Sequence, residues 1–181
     1  MSDFERIFVY DLETDNLITE TENGDEKYPA ILEICIIDYF TDEVMYNDFV
    51  FSDEPIDEFI TTINNINNDM IKDSPTVDQT RDKLFNLFKE MKNIAVVAHN
   101  GNNFDHKIMN HYKLFPKHLN VTYLDSKVIL PTLPNMENLH SYRLFNVYEN
   151  LFGSKINNIH SAKGDTLALI KILKKLSWKI R

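Results

Sequence analysis

The chain has 181 residues, 43% of them hydrophobic, and 28 acids against 19 lysines and arginines give it a formal charge of -9 at pH 7. That length buries one core and demands no second domain, so residues 1–181 read as a single domain. The charge excludes a protein that holds polyanions through its whole-molecule field, and the lone Cys35 excludes a disulfide framework or a cysteine-built zinc cluster.

Residues 1–5 carry no basic or apolar leader features, and no later apolar run approaches bilayer length, so no membrane partner is expected. Cys35, inside an apolar run, suits reducing surroundings. A soluble intracellular protein follows, in cytoplasm or nucleus or the equivalent in the host of a virus.

In chain order, the first strand is the run from Ile7 that ends in Asp11-Leu12-Glu13-Thr14. Alternate residues of a strand share a face, so Asp11 and Glu13 set two carboxylates side by side at the strand end. Paired acids repel, and a hard divalent cation such as Mg²⁺ or Mn²⁺ relieves them. In a chain with 28 acids the pair also arises by chance, so it gains meaning only if further ligands arrive from elsewhere.

Residues 15–29 read as an acidic surface loop, with Asn16 suited to a left-handed turn. The β-rich runs 31–40 and 44–51 form a hairpin beside the first strand. Residues 55–73 support short helical turns, and a capped helix runs from Ser74-Pro75-Thr76 to near Asn93 with Val77, Leu84, Leu87, Phe88 and Met91 as its apolar stripe. A strand over 94–99 precedes a helix with the stripe Phe104, Ile108, Tyr112 and Phe115, and a short strand ends at Asp125. Two prolines make 128–136 a loop. The next helix carries Leu144, Val147, Tyr148 and Leu151 and is closed by Gly153, and the last carries Leu169, Ile170, Leu173 and Leu176. The order β-β-β, helix, β, helix, β, helix, helix predicts an α/β fold with a mixed sheet and helices packed on it.

Two further acids sit where helices begin. Asp105 follows a strand in the phrase His99-Asn100-Gly101-Asn102-Asn103-Phe104-Asp105, and helix-dipole stabilisation alone does not explain that phrase. In His160-Ser161-Ala162-Lys163-Gly164-Asp165 a continuous helix would turn the two ends about 140° apart, so His160 belongs to the preceding loop, loosened by Gly164, and Asp165 to the helix. A histidine titrates near neutrality and can take a proton from water. Lys155, Lys163, Lys171, Lys174, Lys175, Lys179 and Arg181 crowd the tail around Asp165 alone, which marks a solvated helix face or, more sharply, a phosphate-contacting surface.

Asp11-x-Glu13, Asp105 and His160-x4-Asp165 are similar in type, order and setting to the three motifs of the DEDDh 3′-to-5′ exonucleases, a branch of the ribonuclease H-like superfamily. The phrases 97–101, 160–169, 32–35 and 141–144 most resemble the TREX-type three-prime repair exonucleases. The resemblance implies a ribonuclease H-like mixed five-stranded sheet, a three-strand meander plus two parallel strands, flanked by helices. It implies removal of 5′-mononucleotides from DNA 3′ ends with two Mg²⁺ or Mn²⁺ ions held by Asp11, Glu13, Asp105 and Asp165, and with His160 as general base. Leu17 would wedge against the terminal base near Thr14, His99, Asn100 and Phe104.

Single-stranded DNA or DNA 3′ ends are the implied partners, RNA would be served by the same motifs, and the resemblance leaves open a homodimer through the edge strand. The other readings are a 3′-to-5′ exoribonuclease, and a polymerase-associated or single-strand-binding module with minor nuclease activity. Asn16 stands where the family commonly has Gly, and the proline-rich insertion and anchoring tail of animal TREX proteins have no counterpart.

Overall fold

A computed structural model describes residues 4–137 and 139–179. The first strand, β1 (Arg6–Thr14), is followed by a two-residue ribbon, β2 (Thr19–Glu20) with β3 (Glu26–Lys27), and then by β4 (Ile31–Asp38) and β5 (Val44–Phe49). Three helices come next: α1 (Glu58–Asn64), α2 (Asn68–Ile71) and α3 (Val77–Phe88). The alternating half holds β6 (Asn93–Ala98), α4 (Asp105–His111), β7 (Asn120–Asp125), α5 (Ser126–Ile129), α6 (Leu144–Phe152) and α7 (Ala162–Lys175).

The sheet order is β5-β4-β1-β6-β7, with β1, β4 and β5 antiparallel in turn and β1, β6 and β7 parallel. This is the mixed five-stranded sheet that the element order predicts. The centre strand β1 is apolar on both faces because both are covered. Phe8, Tyr10 and Leu12 pack into one core with Leu84 and Phe88 of α3 and Ile108 and Met109 of α4. Ile7 and Val9 pack on the other side against Leu169, Ile170 and Leu173 of α7. By the same alternation Asp11 and Glu13, further along β1, continue the row of Ile7 and Val9 on the α7 face.

α7 runs opposite to β1. Its first residue, Ala162, meets β4 at Glu33, while Trp178 beyond its far end packs on Tyr39, whose N–H is bonded to the Ile7 carbonyl. The strand end that carries the acids therefore faces the start of α7.

Several expectations are corrected. Residues 15–29 include the β2–β3 ribbon, turned through Gly24 at φ +83, because two-residue strands leave no periodic signal. Asn16 is not left-handed: its side chain accepts the Leu17 N–H at 2.8 Å while its carbonyl accepts the Thr14 hydroxyl at 2.6 Å. Residues 128–136 are not all loop, since α5 runs into a 3-10 turn, Leu130–Thr132, with Pro131 in its first turn, where a missing N–H costs nothing. α3 stops at Phe88, short of Asn93, and α4 stops at His111, so Phe115 reaches the core from a connection rather than a helix.

The lysines of α7 are exposed, and Lys174 pairs with Asp42 at 2.6 Å, as a solvated face does; Arg181 lies outside the described residues. Among the described residues no helix is long and apolar enough to cross a membrane.

Candidate active site

Asp11 and Glu13 on β1 meet Asp165 from the first turn of α7, and the three carboxylates offer oxygens that all lie within 4.8 Å of one another. Two local bonds hold α7 in place for this. Ser161 caps the helix by accepting the Gly164 N–H at 3.1 Å, and Glu33 accepts the N–H of Ala162 at 2.9 Å. Glu33 stands directly opposite Glu13 in the β1–β4 register.

Asp105 is brought in differently. The β1–β6 pairing ends at Val9↔Val97, and beyond it the Leu12 N–H donates to the Asp105 carboxylate at 3.2 Å. Asp105 is thereby buried beside Asp11, outside the group of three but near enough that its charge follows burial as the main influence lifting Asp11.

The electrostatics follow from crowding. Burial first, then repulsion from Asp105, Glu13 and Asp165, pushes Asp11 well above the carboxylate range. Burial and the charges of Asp165 and Glu33 push Glu13 to about 8. Burial lifts Asp165 to about 6 against the pull of nearby His160, and burial lifts Asp105 to about 7 against its backbone hydrogen bonds. One Asp165 oxygen is buried without a hydrogen-bond partner among the described residues. An orphaned carboxylate oxygen inside a ring of hard oxygen donors is what a divalent cation satisfies, so these residues fit Mg²⁺ or Mn²⁺.

His160 lies in an exposed turn just before the Ser161 cap, in a left-handed conformation at φ +62, with Asn158 likewise at φ +55. Gly164 does not loosen this segment. A Cβ there would come within 2.2 Å of the Asn158 carbonyl oxygen, so the glycine lets the turn close down on the helix.

On the other side, Asp125 accepts the N–H groups of Asn100 at 3.0 Å and Asn102 at 3.1 Å, which fixes the His99-Asn100-Gly101 turn, with Asn100 at φ +63. His99 bonds to Ser126 at 2.8 Å and is held neutral by burial, its pKa down at about 4. A pocket of about 520 Å³ beside Glu13 gathers Thr14, Leu17 and Phe104 with Phe59 and Ile63 of α1; His99 and Asn100 do not line it.

Sequence reasoning gave no site role to Glu33, Asp125, Phe59 or Ile63. Glu33 had a readable signal, an acid inside an otherwise apolar strand. Asp125 had a weaker one, an acid at a strand end, and the α1 pair had none, because their exposure follows only from how α1 sits beside β1.

The mixed five-stranded sheet flanked by helices is a ribonuclease H-like fold. The profile of the exonuclease (RNase_T) family matches residues 8–173, and the chain belongs to this family. It is 35% identical over 150 residues to an uncharacterised exonuclease, R569, of Acanthamoeba polyphaga mimivirus, an alignment that covers 82% of this chain and 46% of that protein. In structure it is similar to E. coli ExoI in a zinc-bound complex with single-stranded DNA, with a TM-score of 0.71, 16% identity and coverage of 94% of this chain and 40% of the other. E. coli exonuclease I with a dA16 oligonucleotide gives a TM-score of 0.71, 17% identity and the same coverage. The chain thus spans less than half the length of these relatives.

Carboxyls whose folded pKa is raised bind more protons in the folded state, so their contribution to stability is lost as pH rises through the folded values. In EDTA the protein should lose thermal stability progressively from pH about 4, where these carboxyls ionise in the unfolded chain, up to about 8, with the share of Asp165 spent by about 6 and that of Glu13 by about 8. Saturating Mg²⁺ or Mn²⁺ should raise Tm by about 5–10 °C, for a cation at a hundredfold excess over its Kd, and by more at the upper end of that range than at the lower. A Tm blind to both cations would show that the acids hold none. Glu33→Ala strands the Ala162 N–H and should cost about 1–3 kcal/mol in chemical denaturation, whereas Glu33→Gln keeps an acceptor and should stay near wild type. Equal losses in both variants would mean that the charge, not the hydrogen bond, matters.

Proposed function

We propose that this chain acts as a single-domain, divalent-cation-dependent 3′-to-5′ exonuclease that releases 5′-mononucleotides from DNA. The observation that carries the reading is the convergence of Asp11, Glu13 and Asp165 at the end of the central strand, with Asp105 braced beside them and an apolar pocket adjoining. Family membership supports the reaction class. The solved complexes of similar fold, which carry single-stranded DNA, support the substrate, and the TREX-like phrases favour DNA over RNA.

Asp11, Glu13 and Asp165 would hold one cation, with Asp11 shared toward a second that Asp105 supports. Bound there, the pair would lower the pKa of a water and neutralise charge building on the phosphate and the leaving oxygen. His160, exposed at the rim, takes the proton as water oxygen bonds to phosphorus and the bond from phosphorus to the 3′ oxygen breaks. Leu17 and Phe104, with Phe59, hold the terminal base in the pocket beside Glu13. Thr14 lines the same pocket, and the turn of His99 and Asn100, outside it, would reach the sugar and phosphate of the terminal nucleotide from the α4 side.

Digestion of matched 5′-labelled DNA and RNA oligonucleotides tests this. A ladder shortening from the 3′ end, faster on DNA, present with Mg²⁺ or Mn²⁺ and absent in EDTA, is expected. Asp11→Ala should abolish it by removing the shared ligand, and activity within a few-fold of wild type would end the two-ion reading. His160→Ala should lower turnover by about 10²- to 10⁴-fold at unchanged product identity. Unaltered turnover would reassign His160 to the structure of the turn.

A further inference from the structure

A broad groove lies away from the acids. It holds about 1020 Å³ between α3 and the end of α4 with the connection that follows. Arg81 from α3 and Lys89 at its C-terminal cap line one side, Lys113 and Lys117 the other, and no acidic side chain lines it. In a chain of charge -9 this is a local reversal of sign. Arg81 is partly neutralised by Asp78 at 2.7 Å, but Lys89, Lys113 and Lys117 make no ion pair among the described residues. Phe85, Tyr112 and Phe115, each partly exposed, line the same groove.

The groove is joined to the acid site. The pocket beside Glu13 and a middle cleft of about 480 Å³ share Asp15, Asn16 and Leu17, and the middle cleft shares Tyr112 with the basic groove. The join is rigid: the Tyr112 hydroxyl donates to the Pro29 carbonyl at 2.9 Å, Arg81 donates to the Tyr112 carbonyl at 2.9 Å, and Tyr28 stacks on His111 with centroids 4.0 Å apart. Asp15 and Glu54 also line the middle cleft, so there a polyanion must turn its bases, not its phosphates, toward the protein.

We propose that this basic, aromatic groove is a second nucleic-acid-binding site, which holds the single strand several nucleotides upstream of the end in the acid site. Cationic side chains that track a backbone, set among aromatic rings on which bases stack, are how sequence-blind single-strand sites are built. α4 separates the two sites by on the order of 10 Å at the usual helical rise, about three nucleotides at roughly 3.4 Å each, so only a substrate as short as a dinucleotide is confined to the acid end. The inference rests on the nuclease reading for the identity of the strand, but binding is measured without turnover.

The test is fluorescence anisotropy of 5′-labelled single-stranded DNA in EDTA, with a dinucleotide and an oligomer of about 20 nucleotides, on wild type and on Lys89→Ala/Lys117→Ala. Wild type should bind the longer strand more tightly. The double variant should lose about tenfold of that affinity, and its slope of log affinity against log salt should flatten by about 1.4, since each single-strand phosphate contact contributes about 0.7. Its affinity for the dinucleotide should fall by much less. No gain with length in wild type, or equal losses on both lengths, would overturn the groove as a binding site. Displacement of the strand by polyglutamate as readily as by unlabelled DNA would overturn the nucleic-acid assignment. Photocross-linking from an iodinated base near the 5′ end should mark residues 81–89 or 111–118, and marks confined to the lysine face of α7 would also overturn it. Length-dependent binding without any metal-dependent digestion would sink the nuclease reading alone, and digestion without length-dependent binding would sink the groove alone.

Discussion

Five carboxylates crowd the end of one strand, and the way their oxygens are satisfied divides them. Asp105 accepts the Leu12 N–H and Glu33 accepts the Ala162 N–H, so each ties an element to the sheet. Asp11 and Glu13 accept no hydrogen bond among the described residues, and Asp165 keeps a buried oxygen unpartnered. The braced acids position the unbraced ones. Repulsion that would scatter free side chains is instead held in place by the backbone, and it adds to burial, the larger cause, in lifting these carboxyls above their usual range.

That arrangement depends on strand direction. β1 is antiparallel to β4 on one side and parallel to β6 on the other, so its far end faces both Glu33 and the loop that opens α4. α7, running back along β1, brings its N-terminal turn to the same place, with the positive end of its dipole toward the acids. The residues that pack α7, Leu169, Ile170 and Leu173, are thus also what keeps Asp165 on station.

The sheet was legible because its strands are long apolar runs with turn residues between them, and the acids were legible because Asp11-x-Glu13 has the period of a strand. What escaped reading acts across the fold rather than along it. Glu33 means little until the register sets it opposite Glu13. Asp125 gains its role only when β7 lies beside β6, so that its carboxylate reaches the Asn100 turn. Gly164 was read as a source of flexibility, since one-dimensional reasoning cannot see the Asn158 carbonyl that a Cβ would strike. Two prolines point to a loop over 128–136, yet Pro131 sits in the first turn of a 3-10 helix, a position that tolerates it. The charge of -9 concealed a basic groove, because net charge averages over faces that a substrate meets one at a time.

The central claim is that the unbraced acids form a seat for a divalent cation. Its most direct test is equilibrium Mn²⁺ binding, read from the loss of the free-ion paramagnetic resonance signal, for wild type and Asp165→Asn at neutral pH. Saturable binding in wild type that weakens by tenfold or more in the variant, with the fold intact by circular dichroism, is the expected result. Binding of equal strength in both proteins, or none in either, would contradict the account.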